Sequence, residues 1–212
     1  GESEQIAKKC YRMIVKAEKI REIRILNKLI PKMFEKVSIH KKKNPIRIAV
    51  LGEFYVVLEP ALNVDIFRRL NELGIICETP VSLRKFVDIG YKINPFRKLE
   101  CKKAAIAAKP YVEHRVGGET QESIGDTILY RKKGWDGIIH LYPFTCMPEI
   151  IARSILPEVS RDIGMSVLSL VVDEQTGSAG FQTRLEAFID LIRRKKSKAN
   201  QKELITSQYP LI

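Results

Sequence analysis

Four short apolar runs set the terms for this chain. They are Arg47 to Gly52 (Arg-Ile-Ala-Val-Leu-Gly), Ile75 to Glu78, Trp135 to Leu141 and Ser166 to Val172. Each is short and nearly continuous in apolar character, as strands buried on both faces of a parallel sheet must be. Between them lie stretches long enough for crossover helices. Asn63 caps one that runs to about Leu73, where Gly74 ends it, and a short helix is expected over Val81 to Gly90. Residues 98–115 and 119–132 read as two more, split by Gly117-Gly118. Pro148 suits the first turn of a helix running to about Asp162, and Gln182 to Lys196 forms the last.

Strands alternating with helices call for a doubly wound sheet with right-handed crossovers. The expected architecture is α/β: a Rossmann-like (flavodoxin-like) four-stranded parallel sheet in the order 2-1-3-4, preceded by a long N-terminal helix. That helix is read from Ile6, Cys10, Met13, Ala17 and Ile20 at helical spacing between Ser3 and about Val37, with a break or kink at Pro31. Residues 1–45 would then be a helical segment and basic linker, 46–197 the α/β domain, and 198–212 a C-terminal tail. The leading Gly1, without Met, reads as a remnant before an excised fragment, so the natural chain is expected to extend upstream.

The longest apolar runs, such as Val167 to Val172, are far too short to span a bilayer, and no signal segment opens the chain. No membrane role and a cytoplasmic location are expected. The cysteines, Cys10, Cys77, Cys101 and Cys146, are widely spaced without a CxxC pair, which indicates neither a zinc site nor a disulfide framework. The net charge of +12 is concentrated at the ends, in Lys41, Lys42 and Lys43 and in Arg193, Arg194, Lys195, Lys196 and Lys198. No aromatic-interleaved RNA motif, zinc-finger spacing or helix-turn-helix accompanies it, so nucleic acid is not indicated. The basic ends read as solvated helix faces or as a docking surface for an acidic partner.

In an open parallel sheet, ligands bind outside the carboxyl ends of the strands, at the switch point between the first and third. That edge gathers Gly52 to Tyr55, Tyr142 to Glu149 and Asp173 to Thr176. Cys146 lies between two prolines close to a helix N-terminus, a placement that lowers a thiol pKa; a packed, unreactive thiol is the plain alternative. Asp173 and Glu174 can bind a metal, accept a proton, or simply cap and shape their loop. Gly52-Glu53 has the position of a ligand-binding turn without a GxGxxG pattern, and no P-loop or nucleophile elbow is present. The Gly117 to Ser123 segment can expose amides to an anion or start a helix. His140 reads as a ligand or as a satisfied core residue, while His40 and His114 have no evident partners.

Three segments together resemble the 2-hydroxyacyl-CoA dehydratase family, in particular its dehydratase-subunit-like and activase-related members. They are Gly-Gly-Glu-Thr-Gln-Glu-Ser-Ile-Gly (117–125), Asp-Gly-Ile-Ile-His-Leu-Tyr-Pro-Phe-Thr-Cys-Met-Pro-Glu (136–149), and 173–190, which opens with Asp-Glu-Gln-Thr-Gly and ends with Thr-Arg-Leu-Glu-Ala-Phe-Ile-Asp. Gly-Glu-Phe-Tyr with Asn63 is similar to the segment that precedes them, so the resemblance spans about 46–194. It implies an oxygen-sensitive iron–sulfur (4Fe-4S) protein of anaerobes, fed single electrons by an ATP-dependent activator for difficult reductions or dehydrations of an acyl-CoA. Cys146 would be carried over as a cluster ligand, with the remaining ligands from outside this fragment, because one cysteine cannot complete a set. Glu53, Asp173 and Glu174 are then the candidate catalytic carboxylates, shaping or hydrogen-bonding the site. Glu119 departs from the pattern, which has a histidine there. The rival expectation is a non-enzymatic accessory domain that docks an acidic partner through its basic ends, with Cys146 structural.

Overall fold

The computed structural model describes residues 1–38, 44–83 and 98–208, with the side chains of 98–102 and 200–208 left aside. The expected helix over Val81 to Gly90 and His40 to Lys43 fall largely or wholly outside the described residues. The chain forms two compact units, residues 1–44 and 45–212.

The first unit holds two helices, α1 (Glu2–Val15) and α2 (Ile20–Phe34). An N-terminal helix is present, but the break falls at 16–19 rather than at Pro31, which lies inside α2. The reason is a cap: the Glu22 carboxylate accepts the amides of Glu18 (2.9 Å) and Lys19 (3.2 Å), starting a new helix. Pro31 sits in the last turns of α2, where its missing N–H costs one bond, and the Glu35 amide still reaches the Pro31 carbonyl. Among the described residues of this unit only Cys10 and Leu26 are buried.

The second unit is the α/β domain. Its elements are β1 (Arg47–Gly52), α3 (Phe54–Leu58), α4 (Ile66–Glu72), β2 (Ile76–Glu78), α5 (Lys98–Ala108), α6 (Thr120–Lys132), β3 (Gly137–Pro143), α7 (Met147–Ile163), β4 (Ser166–Val172) and α8 (Ser178–Gln208). All strand pairs are parallel and the order is β2-β1-β3-β4, as expected from the sequence. Residues Ile48, Val50, Ile139, Leu141, Leu170 and Val172 point to one face and pack on α3, α4 and α8 through Val57, Ile66, Leu185 and Ile189. The alternate residues Ala49, Leu51 and Ile138 pack with Tyr130, Trp135 and Met165. On that side α5, α6 and α7 share their own apolar layer of Ala108, Ile124, Ala152 and Leu156. β3 is buried over Gly137 to Tyr142, which explains its unbroken apolar run.

The opening edge of the sheet is closed by charge. Lys196 Nζ bonds the Pro45 carbonyl and the Asp136 carboxylate, each at 2.9 Å, while Lys195 Nζ bonds Ser166 Oγ at 2.9 Å. Two of the tail cations read as a solvated or docking face thus hold α8 to the starts of β1, β3 and β4. The backbone of α8 continues as helix past residue 198 to Gln208.

At the closing edge, Gly52 ends β1 with φ +129°, a region closed to ordinary side chains. A Cβ there would lie 1.9 Å from the Leu141 carbonyl oxygen of β3. We expect Gly52→Ala to destabilise the domain by about 3 kcal/mol or more in chemical denaturation. Gly177→Ala, where a Cβ meets nothing within 4 Å, should stay within about 0.5 kcal/mol of the parent. Equal stability of the two variants would contradict this packing.

Candidate functional site

Three helices begin at the closing edge, and their N-cap residues are Glu53 (α3), Glu119 (α6) and Cys146 (α7). Each is placed by its strand or neighbour. The Glu53 amide donates to the Leu141 carbonyl at 2.9 Å, and its carboxylate caps the Val56 amide at 2.8 Å. The chain leaving β3 turns at once: the Phe144 amide bonds the Val172 carbonyl, the Cys146 amide bonds the Pro143 carbonyl, and the Ile150 amide bonds the Cys146 carbonyl. Glu119 is brought in through Gly118, whose φ is +53° and whose Cβ would strike the Pro148 ring at 2.7 Å. Thr120 Oγ1 then donates to the Pro148 carbonyl at 2.7 Å, locking the start of α6 to the start of α7.

Beneath this rim lies a buried polar network. Glu149, in the first turn of α7, and His140, on β3, are both inaccessible to solvent. His140 Nε2 lies 2.5 Å from Glu149 Oε2, and its Nδ1 lies 3.2 Å from Ser169 Oγ on β4. Ser123 Oγ of α6 donates to the same carboxylate, at 3.0 and 3.2 Å to its two oxygens. The His140 ring also stacks on Tyr142, with centroids 5.0 Å apart. The network joins β3, β4, α6 and α7, so His140 is a satisfied core residue rather than a ligand.

Burial, with the neighbouring carboxylates, reverses the expected chemistry of Cys146. A helix N-terminus favours a thiolate, but the half-buried Cys146 thiol is raised above its ordinary value. Burial is the largest cause, and the charges of Glu149, Glu53 and Glu119 add to it; the Glu149 amide pulls weakly the other way. Glu119 is itself pushed up to about 6, first by burial and then by Glu149, Glu53 and Glu122. A carboxyl that exchanges its proton close to neutrality beside a protonated thiol can act as general acid or base there.

Of the sequence candidates, Glu53 and Cys146 therefore share this rim with Glu119, and Glu149, Ser123 and His140 form the buried network beneath it. Asp173 and Glu174 are exposed. Asp173 is used by its own turn: its Oδ1 accepts the Gln175 amide at 3.0 Å and the Thr176 hydroxyl at 2.8 Å, the loop-shaping alternative. Asn63, taken as a cap, is buried and does more. Its Oδ1 accepts the Ile66 amide while its Nδ2 donates to the Val56 and Val57 carbonyls, joining the end of α3 to α4. Glu149 was visible in the sequence as an acid three residues past Cys146, the N3 position of a helix, and His140 as the polar residue in an apolar strand.

The described residues do not complete a cluster site by themselves, and the Cys101 side chain lies outside them. Cys10 belongs to the other unit, and Cys77 on β2 contacts the Phe67 carbonyl and Asn71. Among the described residues no group of three or more His, Cys, Asp or Glu can hold a metal ion. Carboxylates around the one thiol also disfavour an anionic thiolate group.

Glu149→Ala leaves a buried imidazole and hydroxyl without their acceptor, and should cost about 3 kcal/mol in urea denaturation. Ser123→Ala, which leaves the His140 bond in place, should cost about 1 kcal/mol. A loss below that for Glu149→Ala would show the network to be dispensable. For Glu119 the folded value of about 6 exceeds the ordinary 4.5. The folded state holds the proton more tightly, so stability falls as pH rises between these values. Glu119→Gln should accordingly be more stable than the parent above about pH 6 and indistinguishable from it below about pH 4.5. Thermal melts across this range measure the difference, and parallel profiles would refute the assignment.

No family model, curated protein or solved structure matches this chain.

Proposed function

We propose that residues 45–212 form one half of a site in a 2-hydroxyacyl-CoA dehydratase-related protein that works in ATP-driven, low-potential reduction or dehydration. The observation that carries the reading is the position of Cys146. The Pro-Phe-Thr-Cys-Met-Pro-Glu segment, on which the resemblance largely rests, lies at the β1/β3 switch point, with Cys146 half-exposed between Glu53 and Glu119. The exposed Phe144 and Met147 flank it and leave the rim open to another surface.

In this reading the chain does not house an iron–sulfur cluster. Cys146 offers a single soft ligand to a group completed by another domain or chain, and an acyl-CoA and an ATP-dependent activator are reached through that assembly. Glu119 is the proton-handling group: its carboxylate form takes the thiol proton when Cys146 is engaged. Glu53 fixes the entrance by capping α3, and the His140–Glu149 pair holds the start of α7 in place. Asp173 and Glu174 shape the neighbouring loop.

The test is anaerobic isolation of the tagged full-length protein, with whatever accompanies it, from its own cells. Iron content and low-temperature EPR are then compared between the parent and Cys146→Ser. We expect an iron-bearing complex whose cluster signal falls by about half or more in the variant. Unchanged iron in Cys146→Ser would end the ligand role, and a colourless, iron-free complex would favour the accessory domain with a structural cysteine.

A further inference from the structure

The residues 1–44 carry a surface that the site does not use. Helices α1 and α2 meet through Cys10 and Leu26, with Cys10 Sγ 4.0 Å from Met33 Sδ and Ile6, Met13 and Ile30 half-buried. The apolar arc of each helix is wider than this seam. Tyr11 (69% exposed) and Ile14 (50%) extend it on α1; Ile20 (73%) and Ile23 (53%) extend it on α2. Large aliphatic and aromatic side chains left open in this way mark an interaction surface rather than ordinary scatter.

The charge around that surface has one sign. Residues 1–37 contain ten Lys and Arg against five Glu. Of the five, Glu4 is paired to Lys8 and Glu22 is folded back on the amides that start α2. Arg21, Arg24, Lys28 and Lys32 form a continuous row along α2 beside Ile20, while Lys9 and Arg12 lie on the side of α1 turned away from Tyr11 and Ile14. A second copy of the chain would bring the same cations against these. An apolar helix with an acidic flank meets both requirements, covering the arc and answering the α2 row.

We infer that the α1–α2 pair is a docking element for an acidic amphipathic helix of another polypeptide, which completes a three-helix bundle over Tyr11, Ile14, Ile20 and Ile23. The contact is independent of the Cys146 rim, so it stands or falls apart from the proposed function.

Photo-cross-linking in the native cells tests it, with a benzophenone side chain placed singly at Tyr11 or Ile23, or at Lys9 as a control on the charged side. The expected product joins Tyr11 and Ile23, but not Lys9, to one segment of another protein that mass spectrometry shows to be net acidic with apolar residues at helical spacing. Its yield in extracts should fall by roughly fivefold or more from low to high salt. Products with lipid, with a second copy, with residues 45–212 of the same chain or with a segment lacking acidic charge would each overturn the inference. So would equal labelling from Lys9, a salt-independent yield, or no product at all.

Discussion

A carboxyl group without access to water must be answered by hydrogen bonds, because leaving it unanswered costs several kcal/mol. Glu149 is such a group, and the way it is answered organises the closing edge of the sheet. Its partners come from β3 (His140) and α6 (Ser123), and His140 in turn reaches β4 through Ser169. Because Glu149 belongs to the first turn of α7, these bonds fix where that helix begins, and so where Cys146 stands. Gly118 against Pro148 and Thr120 on the Pro148 carbonyl then follow from the same placement. The buried network and the exposed rim are two levels of one construction.

The rim itself is a contest between helix ends and side chains. Three helix N-termini direct partial positive charge at one place, an arrangement that ordinarily draws anions and lowers thiol pKa values. Here the carboxylates are supplied by the chain. Glu53 caps α3 with its own carboxylate, Glu119 stands at the N-cap of α6 without such a bond, and Glu149 lies in the first turn of α7, so negative charge is already in place at these helix ends. At Cys146 and Glu119 burial, joined by the charges of neighbouring carboxylates, outweighs the one backbone amide that pulls each the other way. A neutral thiol next to a carboxyl with a value near 6 is the chemical outcome.

The sheet was legible in the sequence because burial on both faces forces an unbroken apolar run, and the two central strands, Arg47 to Gly52 and Gly137 to Pro143, carry that mark. Strand order followed from the alternation with helices. The N-terminal segment shows where periodicity fails: Met13, Ala17 and Ile20 keep helical spacing across 16–19, while the cap that restarts the helix is a single glutamate, Glu22, among many charged residues. The sign of the Cys146 shift was hidden for a different reason. Helix position is a local property that sequence displays, whereas the burial that chiefly raises the thiol is a product of packing, and two of the three carboxylates that add to it, Glu53 and Glu119, are brought close by the β1–β3 pairing and the Gly118–Pro148 contact. Asp173 was ambiguous because an acid after a strand serves a turn and a ligand equally well, and only the bonds to Gln175 and Thr176 decide.

The net charge of +12 is a poor guide to any one surface of this molecule. Within the α/β domain, Lys195, Lys196 and Arg47 are bound to backbone carbonyls, Ser166 and Asp136 around the starts of the strands, where they hold the opening edge together. The closing edge carries the opposite sign in Glu53, Glu119 and Glu149. Most of the excess, +8 of the +12, belongs to residues 1–44, where cations on α2 flank apolar side chains that their own helices do not cover. A chain arranged in this way cannot be described by one electrostatic partner. Whatever meets the Cys146 rim must tolerate or neutralise carboxylates, and whatever meets the helix pair must supply them. The two surfaces therefore select different chemistry, and binding at one does not substitute for binding at the other.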